Sequence, residues 1–122
     1  MATILLVEDD PNQRILYSEE LARGGHEVVT ARDGNEALYS LDRRTPDLVV
    51  MDISMPGMDG IDAMSRMLGR DHRLPIILNS AYACYRDDYR SWSADAYVVK
   101  SSDMTELVET IERVLAARQS VN

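Results

Sequence analysis

The sequence predicts an α/β fold, an open sheet of five parallel strands with helices on both faces. Three observations lead there. Five short apolar runs rich in β-branched residues recur along the 122 residues, at 4–7, 27–31, 47–51, 75–79 and 96–99. Segments with helix-capping signals lie between them, so strand and helix alternate. The runs at 4–7, 47–51 and 75–79 show no polar alternation, the pattern of strands covered on both faces. Five strands are too few for an eight-stranded barrel, so the sheet is open, with right-handed crossovers.

The elements follow in order. After the first strand, Asp10 is an N-cap with Pro11 at the first helical position, and Gly24-Gly25 stops that helix. The second strand leads to Asp33-Gly34-Asn35-Glu36, a capping box that places Ala37, Leu38 and Leu41 on one face. After the third strand, Asp59 caps a helix with Ile61, Met64 and Leu68 inward and Gly69 as its stop. A fourth helix with a weak apolar stripe is expected over 83–92. Asp103-Met104-Thr105-Glu106 is another capping box. It precedes Leu107, Val108, Ile111, Val114 and Leu115, the cleanest helical stripe in the chain.

Composition narrows the function. The length suits one domain, taken as 1–122 with its core at about 3–118. The lone Cys84 has no partner for an internal disulfide, and no apolar run is long enough to cross a bilayer. Glu8-Asp9-Asp10 is incompatible with a signal peptide, so the expected compartment is the cytoplasm. The formal charge of −8 argues against direct nucleic-acid binding and no membrane partner is expected. His26 and His72 are expected at the surface.

In an open parallel sheet, ligands bind beyond the carboxyl ends of the strands, where strand order reverses. Glu8, Asp9 and Asp10 follow the first strand, Asp52 the third, Asn79-Ser80 the fourth and Lys100 the fifth. Asp10 is explained by capping alone. In the flavodoxin-like order 2-1-3-4-5, strands one and three are neighbours and Glu8, Asp9 and Asp52 converge. Three close carboxylates repel, and a hard divalent cation relieves them; Mg²⁺ suits an all-oxygen set with no Cys or His. An Asp carboxylate beside such an ion can attack phosphorus, with Lys100 and the Ser80 hydroxyl supplying further positive charge and donors. Lys100 is the only lysine beside twelve arginines, and a compact ammonium suits a point contact with phosphate.

These residues resemble a known family. Leu5-Leu6-Val7-Glu8-Asp9-Asp10-Pro11 and the stretch from Pro46 through Asp52-Ile53-Ser54-Met55-Pro56-Gly57 to Asp59-Gly60 resemble the receiver domain of two-component response regulators. Pro75-Ile76-Ile77-Leu78-Asn79-Ser80-Ala81 and Ala96-Tyr97-Val98-Val99-Lys100 match two further blocks of that family. The resemblance implies that Asp52 is the phosphoacceptor. It implies that Asp9 binds Mg²⁺ directly, Glu8 through water, and Ser54 through its backbone carbonyl. It further implies that Ser80 and Tyr97 form the switch, and that Lys100 pairs with the phosphoryl group. The implied donor is a histidine kinase or phosphotransfer protein. The implied output is altered binding of a downstream protein on the face made by the helix at 83–92, the fifth strand and the last helix. Such a domain assists only its own phosphorylation and dephosphorylation and is not an enzyme in the usual sense.

Ser101 stands where the family has a proline joined through a cis bond; a non-proline cis bond costs about 2.5–4 kcal/mol, so a trans bond is expected here. Tyr82 is expected to screen the phosphoryl group from water. Tyr85, Tyr89 and Trp92 share a helical face, either as core or, with Arg86 and Arg90, as a docking patch. Two other functions stay open: a phosphatase turning over an aspartyl-phosphate, disfavoured because Ser54 stands where a second acid would be, and a receiver-like domain regulated without phosphorylation. A flavin carrier is disfavoured by acids after the first strand, and a P-loop nucleotidase by the missing motif.

Overall fold

The computed structural model describes residues 2–82 and 92–119. Among the described residues the elements run in the order β1 (Thr3–Val7), α1 (Pro11–Arg23), β2 (Glu27–Ala31), α2 (Gly34–Arg43), β3 (Leu48–Met51), α3 (Gly60–Arg70), β4 (Ile76–Ser80), β5 (Ala96–Val99) and α4 (Thr105–Gln119). The five strands form one parallel sheet in the order β2-β1-β3-β4-β5. The flavodoxin-like expectation therefore holds.

The unalternating strands do what their composition demands. Successive side chains of a strand point to opposite faces. Leu5, Val7, Val49, Met51, Ile76 and Leu78 pack on one face against Leu38 and Leu41 of α2 and Met64 and Met67 of α3. Ile4, Leu6, Leu48, Val50 and Ile77 pack on the other against Tyr17 and Leu21 of α1 and Leu107, Ile111 and Val114 of α4. Each fully buried aliphatic side chain contributes roughly 1.5–3 kcal/mol. Both faces of the central strands β1, β3 and β4 are thus covered, and the side chains that follow them emerge at the strand ends.

The caps form as local chemistry requires. Asp10 accepts from the Asn12 and Gln13 amides, Asp33 from Glu36 and Asp59 from Asp62. Gly25 carries the positive φ of 91° that turns the chain after α1.

Two expectations need correction. Gly69 does not stop α3, which runs on to Arg70 and ends at Asp71. Its φ is not positive, and the buried Met64 and Met67 hold the helix together past it. His26 is not a surface residue either. Its side chain is only 8% exposed. Nδ1 accepts from the Ala2 amide at 3.3 Å, while Nε2 lies 2.9 Å from a Glu112 carboxylate oxygen. Nothing local announces a contact between residues so far apart in sequence. His72 is exposed, as expected. The helix anticipated over 83–92, with Cys84, Tyr85, Arg86, Tyr89 and Arg90, lies outside the described residues except for Trp92, which is exposed.

Candidate functional site

The sheet order puts β1 beside β3, with Val7 opposite Met51. The residues that follow these partners, Glu8 and Asp52, therefore emerge side by side. Carboxylate oxygens of Glu8, Asp9 and Asp52 all lie within 4.8 Å of one another. Glu8 and Asp52 are buried and Asp9 half-buried. Like charges packed this closely need compensation.

Part of it comes from across the sheet. β5 ends at Val99, and Lys100 reaches back over the strand ends. Its Nζ lies 2.6 Å from Glu8 Oε1 and 3.0 Å from Asp52 Oδ2. The Lys100 amide donates to the Ser80 carbonyl at 2.7 Å, which anchors the turn into the site. No peptide bond among the described residues is cis, so the bond into Ser101 is trans and the lysine still arrives at the acids.

The electrostatics are mixed. Burial raises the Glu8 pKa; hydrogen bonds from Lys100 and the Asp10 amide pull against it, and the Asp52 charge adds to it. Burial alone would lower the pKa of Lys100, but the hydrogen bond to Glu8 and the charge of Asp52 raise it above the ordinary value. The lysine is therefore an ammonium, and burial disfavours the charge on Glu8. One ammonium facing three acids leaves negative charge over, which a divalent cation would take up. The donor set consists of oxygens alone and fits Mg²⁺ better than a softer metal.

The backbone around Asp52 is held tightly. Its amide donates to the Val7 carbonyl at 3.1 Å, and its Oδ1 accepts from the Ser54 amide at 3.2 Å. Gly60 begins α3 directly against this turn. A Cβ there would lie 2.2 Å from the Asp52 carbonyl oxygen and 2.7 Å from the Ile53 Cα, so only glycine fits.

Ser80 and Tyr97 form a second group one strand over. The fully buried Ser80 hydroxyl accepts from the Tyr82 amide at 3.2 Å, and the Tyr97 hydroxyl donates to the Tyr82 carbonyl at 2.5 Å. Tyr97 packs half-buried against the α2 and α3 core, while the Tyr82 side chain is exposed. The structure thus joins Lys100 to Glu8 and Asp52, brings the Asp9 carboxylate within 4.8 Å of both acids, and links Ser80 and Tyr97 to each other through Tyr82.

Sequence reasoning missed two residues of α1. Gln13 Oε1 lies 2.6 Å from the Lys100 Nζ. Arg14 donates to the Glu8 carbonyl at 2.9 Å and to that of Asp9 at 3.5 Å, fixing the loop that carries both acids. The available signal was position. α1 starts at the end of β1, so its first turn overlooks the strand ends.

The chain is similar to known proteins in sequence and fold. The response regulator receiver domain family matches residues 4–112. The chain is 39% identical over 114 residues to the regulatory protein AtoC of Escherichia coli, covering 92% of this chain and 25% of AtoC. It is 34% identical over 119 residues to the transcriptional regulatory protein PrrA of Mycobacterium tuberculosis, covering 96% of this chain and 51% of PrrA. The chain thus spans about a quarter to a half of the length of these curated relatives. Among solved structures, it resembles the response regulator TrrA of Thermotoga maritima in complex with Mg²⁺ and beryllium fluoride. The TM-score is 0.91 and the identity 43%, covering 93% of this chain and 99% of that one. A chain in the complex of the histidine kinase ThkA with TrrA matches with a TM-score of 0.89 and 43% identity, covering 94% of this chain and 99% of that one. With a family match over residues 4–112 and likeness to these relatives in sequence and fold, this chain belongs to the response regulator receiver domain family.

Proposed function

We propose that the chain is a phosphorylation-controlled switch that accepts a phosphoryl group on Asp52, with Mg²⁺, from a histidine kinase or phosphotransfer protein. One observation carries this reading: the oxygens of Glu8, Asp9 and Asp52 converge within 4.8 Å, and Lys100 stands 3.0 Å from Asp52. The relatives support it, since TrrA was crystallised with Mg²⁺ and beryllium fluoride and, separately, in complex with a histidine kinase.

The dication would be held by Asp9 and Asp52, by Glu8 through water, and by the Ser54 backbone carbonyl. When bound, it offsets charge on the phosphoryl oxygens. An Asp52 carboxylate oxygen attacks phosphorus; the P–O bond forms as the P–N bond of the phosphohistidine breaks, and the departing imidazole keeps its electron pair and takes a proton from solvent. Lys100 then pairs with one phosphoryl oxygen. The Ser80 hydroxyl, which now accepts from the Tyr82 amide, turns its own proton to another. That movement disturbs the Tyr82 segment, to which the Tyr97 hydroxyl is bonded, and so reaches the surface of β5 and α4. The added charge of about −1.5 to −2 biases a two-state element, and the output is altered affinity for a downstream protein.

The phosphatase reading finds no support at Ser54, whose amide donates to Asp52 and whose side chain is no acid. Intact-mass measurement after incubation with Mg²⁺ and acetyl phosphate tests the proposal. One labile phosphoryl adduct is expected in the wild type and none in Asp52→Asn. A wild type that stays unmodified, or an Asp52→Asn variant modified equally, overturns it.

A further inference from the structure

The ammonium of Lys100 has three N–H donors, and the structure gives each a partner: Glu8 Oε1, Asp52 Oδ2 and Gln13 Oε1. Two of these partners are the acids that would hold a dication. The third is a neutral amide. Because an ammonium can only donate, the Gln13 side chain must present its oxygen. One helical turn further along α1, the buried Tyr17 ring lies 5.9 Å from the same nitrogen, within cation–π range. The first turns of α1 therefore build a seat for the ammonium that carries no charge of its own.

That distinction matters once a dication arrives. It draws the negative charge of Glu8 and Asp52 to itself and repels the ammonium. The acids then hold Lys100 far less well, while the amide oxygen of Gln13 and the face of Tyr17 are unchanged. We infer that Gln13, backed by Tyr17, is the positioning residue that keeps the Lys100 ammonium at Asp52 when the dication is bound. The inference rests on the phosphoryl-acceptor reading and deepens it. Gln13 touches no reacting atom and acts through the lysine.

Composition makes the test direct. Lys100 is the only lysine, so its side-chain ammonium gives one assignable NMR signal of its kind. The variant is Gln13→Met, which keeps length and helix propensity and removes the acceptor. With Mg²⁺ and beryllium fluoride bound, the Lys100 ammonium protons are expected to exchange with water about tenfold faster in Gln13→Met than in the wild type, the factor expected from losing one hydrogen bond to a charged group. At saturating Mg²⁺, phosphorylation by acetyl phosphate is expected to slow by about the same factor. Mg²⁺ affinity, read by titration, is expected to be unchanged or tighter, because a looser ammonium competes less for the acids. A purely structural role would instead weaken Mg²⁺ binding in parallel. Unaltered ammonium exchange, an undiminished phosphorylation rate or weaker Mg²⁺ binding in Gln13→Met each overturns the inference. The two levels of failure are distinguishable: a wild type that takes no phosphoryl group sinks the function, whereas a phosphorylated wild type with an indifferent Gln13→Met sinks this inference alone.

Discussion

Two regions use the same residue types to opposite ends: the mouth formed by the ends of β1 and β3, and the outer surface of α2 and α3. Glu8 in the mouth is 2% exposed and its pKa is raised, with burial the largest cause. Glu36 in the first turn of α2 is half-buried, with 37% of its side chain exposed, and its pKa is lowered, first by the backbone hydrogen bond from Arg32 and then by that residue's side chain. Gly60 in the mouth has no room for a Cβ, whereas Gly69 on the outside of α3 has nothing within 4 Å. Burial in the first region works against charge, whereas the second lets opposite charges pair near solvent.

The largest effect that would break this contrast is at Gly60. Gly60→Ala should destabilise the fold by about 3 kcal/mol and displace the Asp52 turn, because the nearest atoms are backbone and cannot swing aside. Denaturant unfolding checks the first effect and acetyl phosphate labelling the second. Next comes Glu8. Glu8→Gln should weaken Mg²⁺ binding by about tenfold or more while raising the Tm of the metal-free chain by a few degrees, since the environment disfavours the charge it removes. A metal-free Tm that falls would show that Glu8 is held by Lys100 more than it is penalised by burial. Third, Gly69→Ala should stabilise by roughly 0.5–1 kcal/mol through helix propensity, with phosphorylation untouched.

The smallest effect concerns pH, where the two glutamates should differ in sign. The folded chain holds the Glu8 proton more tightly than the unfolded chain does, so that contribution is full below the unfolded value and fades as pH rises through the folded one. For Glu36 the contribution is present above the ordinary value of 4.5 and is lost as pH falls through the lowered folded value. Glu36→Gln should therefore lower the Tm slightly at neutral pH and not at all in strong acid. A NMR titration of the two side chains, moving in opposite directions from 4.5, sharpens the comparison most directly.

Strand placement and helix starts were legible because their causes are local. An apolar run without alternation buries both faces wherever it sits, and Asp10, Asp33 and Asp59 cap the turn that follows them in the chain. Gly69 misled for the same reason in reverse. A residue of low helix propensity reads as a stop until the burial of Met64 and Met67 outweighs it. The acids of the site were legible as strand-end residues, and their convergence followed once β1 and β3 were placed side by side.

By itself, then, the sequence determined the succession of strands and helices, the caps, and which carboxylates stand at the strand ends, since each depends on neighbours a few residues away. Only the tertiary structure decided that Gln13 and Tyr17 meet Lys100, that Arg14 holds the carbonyls of Glu8 and Asp9, and that His26 joins Ala2 to Glu112. Those contacts depend on how helices seat against the sheet. That seating minimises exposed apolar surface over the whole molecule, and no short stretch of chain encodes it.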